Sequence, residues 1–318
     1  MNTQKKTGIA ALLATLAMTA ATTFGAISIE TVTVGYAGNA ANGSYGAVGY
    51  EYQIGKTEVT NAQYVAFLNA VAATDTYGLY NTTDSVYYGI ERGGSSGSYS
   101  YTVKLGYESK PVNYVSFYDA ARFVNWLTNG QGGAGTTETG LYTFTGTETL
   151  TATPDHATST GWVIASEDEW YKAAYYDPTK GETGGYWAYP TKSDDISKGV
   201  ANYDNNSGNA SDLKEAGSYL SASSYFGTYD QGGNLWEWND AISSGTSRVM
   251  RGGSFASPDG SLSAASGRNS NGPAYEHANI GFRVASLTAV PEPSTWAVAT
   301  GLALLAWAVL RRSRGARG

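Results

Sequence analysis

The chain has 318 residues, with 40 glycines, 25 tyrosines, 15% charged residues and no cysteine. Its 13% aromatic residues exclude a disordered chain, which would lack the side chains that build a core. The missing cysteines exclude disulfides, thiolate metal sites and thiol catalysis. The composition is typical of a secreted, loop-rich globular protein.

The N-terminus has the layout of a signal peptide, which we predict over residues 1–26. Lys5 and Lys6 precede an apolar run over 9–21, and small residues follow. We predict cleavage between residues 20 and 26, because the apolar run is short for a membrane span. An uncleaved membrane anchor is the alternative.

The C-terminal segment, 289–318, contains three consecutive features. These are Pro291, Glu292 and Pro293, then an uncharged run at about 296–310, then a basic tail with Arg311 and Arg312. The run is shorter than the ~20 residues that a bilayer span normally needs, and the arginines would stay on the cytoplasmic side. This layout resembles a PEP-CTERM sorting signal, and an ordinary tail anchor is the alternative.

The resemblance to a sorting signal implies a partner and a location. The partner is an exosortase, which would cut near the Pro-Glu-Pro after a transient stay in the inner membrane of a Gram-negative bacterium. The product would reach the cell surface or the extracellular matrix. Between the two ends, residues 27–290 keep 14 Lys and Arg and 26 Asp and Glu, a net charge of −12. This charge excludes nucleic acid as a partner and is compatible with divalent cations and neutral glycans.

The first part of the body predicts two strands and a helix. Residues 27–34 alternate apolar and polar side chains, which predicts a half-buried strand, and 50–54 predict a second strand. Thr60 and Gln63 have the spacing of a capping box, so a helix is expected from there to about Val71.

The middle of the chain predicts an irregular insertion over 74–109 and then a second helix. Ser116 starts this helix, and Asn129 with the following glycine ends it. Its apolar side chains recur at helical spacing and predict burial on one side. These are Ala120, Phe123, Val124 and Leu127.

A short buried strand is predicted at 162–164, followed by a third helix. Ser166 and Glu169 form another capping box, and the helix must end before Pro178. Residues 181–229 are polar with short extended pieces. We therefore predict one domain over 27–288, and the pattern alone defines it only as α+β and loop-rich.

One motif organises the chain: Trp236, Glu237 and Trp238 follow two consecutive glycines. In an extended segment, alternation places both indoles on one face and the carboxylate on the other. A hard cation is one partner for such a carboxylate. The alternative is a core Trp pair with a surface Glu.

Five motifs in order resemble the formylglycine-generating enzyme (sulfatase-modifying factor) family. They are Ile54 to Asn61, Trp162 to Trp170, Asp230 to Asn239 with Trp-Glu-Trp, Arg251-Gly-Gly-Ser-Phe255, and Gly281-Phe-Arg-Val284. The second is a partial match, because the family's Arg-Leu-Pro is replaced. The resemblance implies a C-type-lectin-like α+β fold with short mixed and antiparallel strands and two or three short helices.

The resemblance also implies two structural calcium sites. One would use the Asp230 and Glu237 carboxylates with the carbonyls of Gly233 and Leu235. The other would use Asn202 and the carbonyl of Tyr203, completed by Asp212. Oxygen ligands of this kind suit calcium. The alternative for the second set is a solvated polar loop.

The family's oxidase activity requires two cysteines that hold copper. Here Ser257 stands at the first of these positions, and the second falls near Leu262. A hydroxyl cannot supply the soft thiolate that copper(I) needs, so we expect no formylglycine-generating activity and no copper. A related branch uses a histidine-based iron site. This chain has only His156 and His277, both expected at the surface, so iron is not expected.

Three arginines complete the candidate residues. We expect Arg251 and Arg283 to pair with buried acids, while Arg268 lies with Ser257 in the region that forms the family's ligand groove.

A hydrolase built from Ser257, His277 and Asp259 lacks a nucleophile-elbow pattern. Exposed Tyr and Trp side chains could stack on sugars.

Two functional hypotheses follow. The first is an exported, non-catalytic domain with a binding or structural role, whose partner is an exopolysaccharide or another secreted protein. The second is a family enzyme that modifies a secreted partner through an active site without cysteine. An enzyme should bring ionisable groups together near Ser257, Arg268 and His277.

Overall fold

The computed structural model describes residues 26–82, 86–205, 212–262 and 266–287. Within these residues it contains three α-helices: α1 Asn61–Val71, α2 Phe117–Thr128 and α3 Glu167–Tyr175. The first seven strands are β1 Thr31–Val34, β2 Tyr52–Gly55, β3 Ile90–Gly93, β4 Ser100–Val103, β5 Thr143–Phe144, β6 Leu150–Ala152 and β7 Gly161–Ile164. The others are β8 Tyr176–Asp177, β9 Gly185–Tyr186, β10 Trp236–Ser244, β11 Ser247–Arg251, β12 Arg268–Asn271, β13 Ile280–Gly281 and β14 Val284–Leu287. The predicted α+β class with short strands is confirmed.

All three helices start where the sequence predicts, because each start is a capping box. Thr60, Ser116 and Ser166 each accept a hydrogen bond from the third helical N–H, and the side chain at that position bonds back. These reciprocal bonds satisfy N–H groups that a helix start otherwise leaves unpaired. The signal is local, so the sequence alone can reveal it.

The strands form two four-stranded sheets and three two-stranded ladders. The first sheet has the order β1-β2-β14-β7, with antiparallel pairs throughout. The second has the order β12-β11-β10-β13, in which β10 and β13 run parallel. Strand β14 lies between strands from the start and the middle of the chain, so distant motifs become neighbours.

The main core contains side chains from the helices and from both four-stranded sheets, and aromatic rings fill much of it. Phe123 of α2 contacts Tyr64, Phe67, Trp126 and Phe282 at ring-centroid distances of 5.3 to 6.0 Å. Aromatic pairs at such distances contribute packing energy beyond the buried area alone.

Helix α2 is buried more completely than its apolar spacing predicts. The predicted face is buried, but Arg122 and Asn125 are also inaccessible to solvent. Arg122 is paired with Glu138, and the Asn125 amide donates to the Thr137 and Tyr142 carbonyls. Polar side chains can enter a core when their hydrogen bonds are met, which the apolar pattern does not reveal.

The predicted membrane segments fall outside the described residues. This applies to the signal peptide, to the Pro-Glu-Pro and to the span at about 296–310. Within the described residues, no helix has the length and apolarity that a membrane crossing requires. The predicted strand at 27–34 is shorter in the structure, since pairing with β2 begins only at Thr31.

Candidate functional site

The Trp-Glu-Trp motif opens β10 at the centre of the molecule. The Trp238 side chain is inaccessible, and its indole N–H donates to the Val115 carbonyl at 3.0 Å. Trp236 is 9% exposed. Glu237 is fully buried as well, so the alternative of a surface Glu is wrong. Both faces of this strand are covered, since α3 and the chain before β14 lie on the side of the carboxylate.

Three hydrogen bonds occupy the Glu237 carboxylate. The Arg283 guanidinium donates to it twice, from Nε to Oε2 and from Nη2 to Oε1, both at 2.6 Å. The Trp170 indole N–H donates to Oε2, also at 2.6 Å. Burial alone would lower the pKa of Arg283, but Glu237, with Glu58 and Asp230, raises it. The expectation that Arg283 pairs with a buried acid is confirmed.

Two further acids lie close to this ion pair. Glu58 accepts from the Asn234 amide at 3.2 Å through Oε1, while its Oε2 is buried without a hydrogen-bond partner. Burial above all, and then Asp230 and Glu237, raise the pKa of Glu58 well above its ordinary value. Burial, with a contribution from Glu237, also raises the pKa of Asp230 to about 6. Three acidic side chains therefore lie within electrostatic reach of Arg283, and the raised pKa of Glu58 favours its protonated form.

These contacts involve Glu237, one of the carboxylates of the implied calcium site. A calcium ion prefers oxygen ligands that are not committed elsewhere. In this structure Arg283 and Trp170 bind both oxygens of Glu237, so a calcium ion there would share the carboxylate with a guanidinium. The carboxylate oxygen without a partner belongs to Glu58 instead. Across the described residues, no group of three or more acidic or histidine side chains is arranged to hold a metal.

The residues of the other implied calcium site do come together. The Asn202 amide donates to the Asp212 carbonyl at 2.7 Å and to the Asn234 side chain at 2.9 Å. The Asn202 backbone also pairs with Gly233, so both implied sites meet around Asn234. The Asp212 carboxylate accepts from the Tyr87 hydroxyl. Tyr203, of the same implied site, follows Asn202 and is partly exposed. Leu235, of the first implied site, is buried in a small cluster of apolar side chains. Calcium at either place stays a prediction.

Ser257 lies in a tight turn after the Arg-Gly-Gly-Ser-Phe motif. Its hydroxyl accepts from the Ser254 N–H and is bonded to the Ser254 hydroxyl, both at 3.0 Å. The Asn279 side-chain nitrogen donates to the Ser254 hydroxyl at 3.4 Å, and the Asn279 side-chain oxygen Oδ1 is 2.7 Å from His277 Nδ1. Ser257 and His277 are thus linked through two other side chains. Asp259 bonds to the N–H of Gly260 and is not part of this chain of contacts.

The Arg268 side chain is already engaged. Its guanidinium binds both oxygens of Glu167, at 2.7 and 3.2 Å, and Arg251 binds Glu167 Oε1 at 2.8 Å. Tyr45 lies under both guanidinium groups. Arg251 is buried, as expected for a structural ion, while the Arg268 side chain is 32% exposed. A ligand contact through Arg268 stays a prediction.

The expectation of two surface histidines is right for His277 and wrong for His156. The His156 ring lies between Glu169, at 3.0 Å, and Asp240, at 3.4 Å, and is 13% exposed. Burial by itself lowers the pKa of His156, but the two carboxylates outweigh it and raise the pKa to about 10. The imidazolium therefore joins the start of α3 to β10. No local pattern around His156 indicates this position.

Sequence reasoning missed the acids and amides that complete the site. Glu58 and Asn234 stand inside the quoted motifs and are buried. A polar residue within an otherwise apolar segment was the signal that could have revealed them. Glu167 and Trp170 belong to the third capped helix. Their partners lie more than 60 residues away in the chain, so spacing could not identify them.

The fold and the site define a cysteine-free α+β domain whose two small sheets are joined by a buried Glu–Arg pair. The family model of the sulfatase-modifying factor enzyme 1-like domain (FGE-sulfatase) matches residues 31–287, and the chain belongs to this family.

The solved structures with a similar fold have little sequence identity to this chain. The crystal structure of CarF is 22% identical, covers 82% of this chain and 99% of that chain, and has a TM-score of 0.53. Treponema denticola variable protein 1 is 21% identical, covers 83% and 97%, and has a TM-score of 0.48. PvdO from Pseudomonas aeruginosa is 17% identical, covers 82% and 92%, and has a TM-score of 0.45. The likeness to CarF shows the fold alone. No curated protein matches the sequence.

Proposed function

We propose that this protein is an exported, non-catalytic member of the sulfatase-modifying factor family with a binding or structural role at the cell surface or in the extracellular matrix. The observation that carries the proposal is Ser257, which stands in place of the first family cysteine. Its hydroxyl is committed to the Ser254 turn. The chain has no cysteine that could form a copper thiolate.

The buried ionisable groups support a structural role for the charged residues of the family motifs. Glu237 binds one arginine and Glu167 binds two, all on elements of the fold, and neither carboxylate is free to act as an acid or base. General acid–base catalysis needs a group that can reach the substrate's proton. The charged motifs therefore stabilise the fold, and a ligand would bind elsewhere.

Export rests on the terminal segments. The signal-peptide layout supports transport across the inner membrane, and Pro291, Glu292 and Pro293 before an apolar run support sorting by an exosortase. Calcium as a structural ion remains part of the proposal. The matrix partner would be an exopolysaccharide or another secreted protein.

One observation favours the alternative of a modifying enzyme. The polar chain Ser257–Ser254–Asn279–His277 connects a hydroxyl to an exposed imidazole. An activated nucleophile normally has its base within direct hydrogen-bond reach. Here two side chains intervene, so the geometry favours the non-catalytic function.

The catalytic question can be tested with the full-length chain. Incubation with copper, oxygen and a cysteine-containing sulfatase peptide, followed by mass spectrometry, should show no formylglycine. The matched reference is the same peptide in buffer alone. Conversion above this reference, lost in Ser257→Ala and His277→Ala, would establish the enzyme instead.

Export can be tested separately with an epitope in the exposed turn at Gly97. We expect the wild-type chain to leave the inner membrane in a shortened form. Glu292→Ala should keep the chain in the membrane at full length. Identical localisation of the two chains, or retention of both in the cytoplasm, would contradict sorting at this signal.

A further inference from the structure

Tyr36, shortly after β1, is the most exposed aromatic residue in the part of the chain that the structure describes, with 54% of its surface open to solvent. Its backbone is left-handed, with φ 58°. A bulky residue rarely adopts this conformation, because its Cβ crowds the following carbonyl oxygen. A ring that is more than half exposed gains little from burial to offset this strain. The packing of the fold therefore does not explain a tyrosine at this position.

Lys172 of α3 holds this strained turn in place. Its side chain is buried, and its ammonium group donates to the Tyr36 carbonyl at 3.0 Å. Burial lowers the pKa of Lys172 to about 8, although the charge of Glu51 acts in the opposite direction. Because burying an amine is unfavourable, two unfavourable features, a strained backbone and a buried lysine, together fix one exposed ring. Strained backbone of this kind is concentrated at functional sites.

A second tyrosine fixes the orientation of this ring. The hydroxyl oxygens of Tyr36 and Tyr225 are 3.3 Å apart, and the two rings meet edge to face with 6.2 Å between their centroids. Tyr225 also packs edge to face on Phe226, at 5.2 Å, and Phe226 contacts the main core. We call Tyr36 and Tyr225 the tyrosine platform. Because the platform is ordered before any ligand arrives, binding would cost little side-chain entropy.

The tyrosine platform combines an aromatic face with hydroxyl groups, and a sugar ring has the matching chemistry. A pyranose presents C–H groups on its face, which pack on an aromatic ring, and hydroxyls at its rim, which bond to the polar tip of a tyrosine. One platform hydroxyl can donate to the other, so the pair keeps one O–H and free lone pairs for a sugar. The body carries a net charge of −12, which repels anionic chains. A neutral sugar therefore suits this surface better than a polyanion.

We propose that the tyrosine platform binds a neutral polysaccharide of β-linked hexopyranose units, with one sugar ring stacked on Tyr36. A β-1,4-linked glucan suits this contact, because its substituents lie in the plane of each ring and leave both ring faces open. The proposal rests on the proposed binding role in the extracellular matrix, for which it names a ligand class and a surface. Both tyrosines lie outside the five family motifs, so the family resemblance does not assign this surface.

Affinity electrophoresis of the full-length chain tests the proposal. The native gels contain either hydroxyethyl cellulose, a neutral β-1,4-glucan derivative, or alginate, a polyanion. The detergent must not carry a sugar headgroup, because alkyl glycosides would compete for the platform. We expect the neutral glucan to retard the chain in proportion to its concentration, which gives a dissociation constant, and we expect alginate to have no effect.

Three variants of Tyr36 separate the role of the ring from the stability of the fold. Tyr36→Ala and Tyr36→Gly should both weaken glucan binding by about three- to tenfold, because each removes the stacking contact. The glycine variant should melt at a higher temperature than the alanine variant, since glycine adopts the left-handed backbone without strain. Tyr36→Phe keeps the stacking face and should retain most of the affinity.

Tyr275→Ala is the matched control. Tyr275 is also an exposed tyrosine, at 41%, but it stacks on His277 and not on the platform. Its loss should leave glucan binding unchanged.

Several results would overturn the proposal. A wild-type chain that the glucan does not retard, or that alginate retards more strongly, would refute a neutral sugar as the ligand. Glucan binding that persists in Tyr36→Ala would support the binding role in the matrix but refute the platform as its site. A chain that is exported, forms no formylglycine and binds no glucan would refute the platform alone, so the failure of this proposal can be distinguished from the failure of the proposed function.

Discussion

Glu237 and Arg283 form a two-point ion pair, fully buried, that joins the two four-stranded sheets. Glu237 belongs to β10 of the second sheet, and Arg283 immediately precedes β14 of the first. Arg283 also donates to the carbonyls of Gly55 and Tyr229, so its guanidinium contacts three separate segments. This pair brings the Trp-Glu-Trp and Gly-Phe-Arg motifs into contact in the folded chain.

The first prediction concerns this pair. Arg283→Met leaves Glu237 buried without its counter-ion, which typically costs about 3–5 kcal/mol. Urea unfolding followed by circular dichroism measures the loss. Lys56→Gln is the control, because Lys56 pairs with an exposed Glu30 and should cost less than about 1 kcal/mol. An equal loss of unfolding free energy in the two variants would show that the buried ion pair contributes no more to stability than the exposed one.

A second prediction compares two glycines with left-handed backbones. Gly233 has φ 87°, and an added Cβ would collide with the Asn202 carbonyl oxygen. Gly130 has φ 77°, and an added Cβ would meet open space. Gly130→Ala should therefore lower the free energy of unfolding only by the conformational strain, roughly 1–2 kcal/mol.

Gly233→Ala should cost at least about 3 kcal/mol, because overpacking adds to the same strain. Thermal unfolding of both variants measures the difference. If the two alanine variants melt at the same temperature, the close approach of Gly233 and Asn202 contributes nothing to stability.

The third prediction is a pH dependence caused by His156. Its pKa is raised from 6.5 to about 10 in the folded protein, because Glu169 and Asp240 outweigh burial. The folded state thus binds the proton more tightly than the unfolded state. The resulting stability is fully present below pH 6.5 and is lost as the pH rises from about 6.5 to 10.

Denaturant unfolding across this pH range measures the effect. The wild-type chain should lose stability relative to His156→Gln between pH 6.5 and 10, since glutamine does not titrate. A stability difference between the two proteins that does not change with pH would contradict an imidazolium held by two carboxylates.

The fourth prediction is that Glu276 also makes the stability fall as the pH rises. Burial, and then the charges of Asp119 and Asp75, raise the pKa of Glu276 from 4.5 to about 8. A hydrogen bond from Asn81 acts in the opposite direction but is outweighed. The folded state again binds the proton more tightly, so stability falls as the pH rises from about 4.5 to 8. Glu276→Gln should remove this fall and be relatively more stable at pH 8. A wild-type protein whose stability rises with pH relative to this variant would exclude the raised pKa.

Much of the secondary structure could be predicted because its signals are local. The capping boxes at Thr60, Ser116 and Ser166 place each helix start, since the bonding groups lie three residues apart. The Trp-Glu-Trp alternation likewise indicates an extended segment. Strand limits could not be predicted in the same way, because the start of β1 depends on where β2 pairs with it.

The candidate site shows where this local reasoning ends. The sequence established by itself that the chain lacks thiol chemistry, that its helices start at capped residues and that its motifs belong to one family. Only the tertiary structure decided that Glu237 binds Arg283 and that His156 is held between two carboxylates. Burial and pairing depend on segments that are distant in the chain, and only the packing of the sheets and helices brings those segments together.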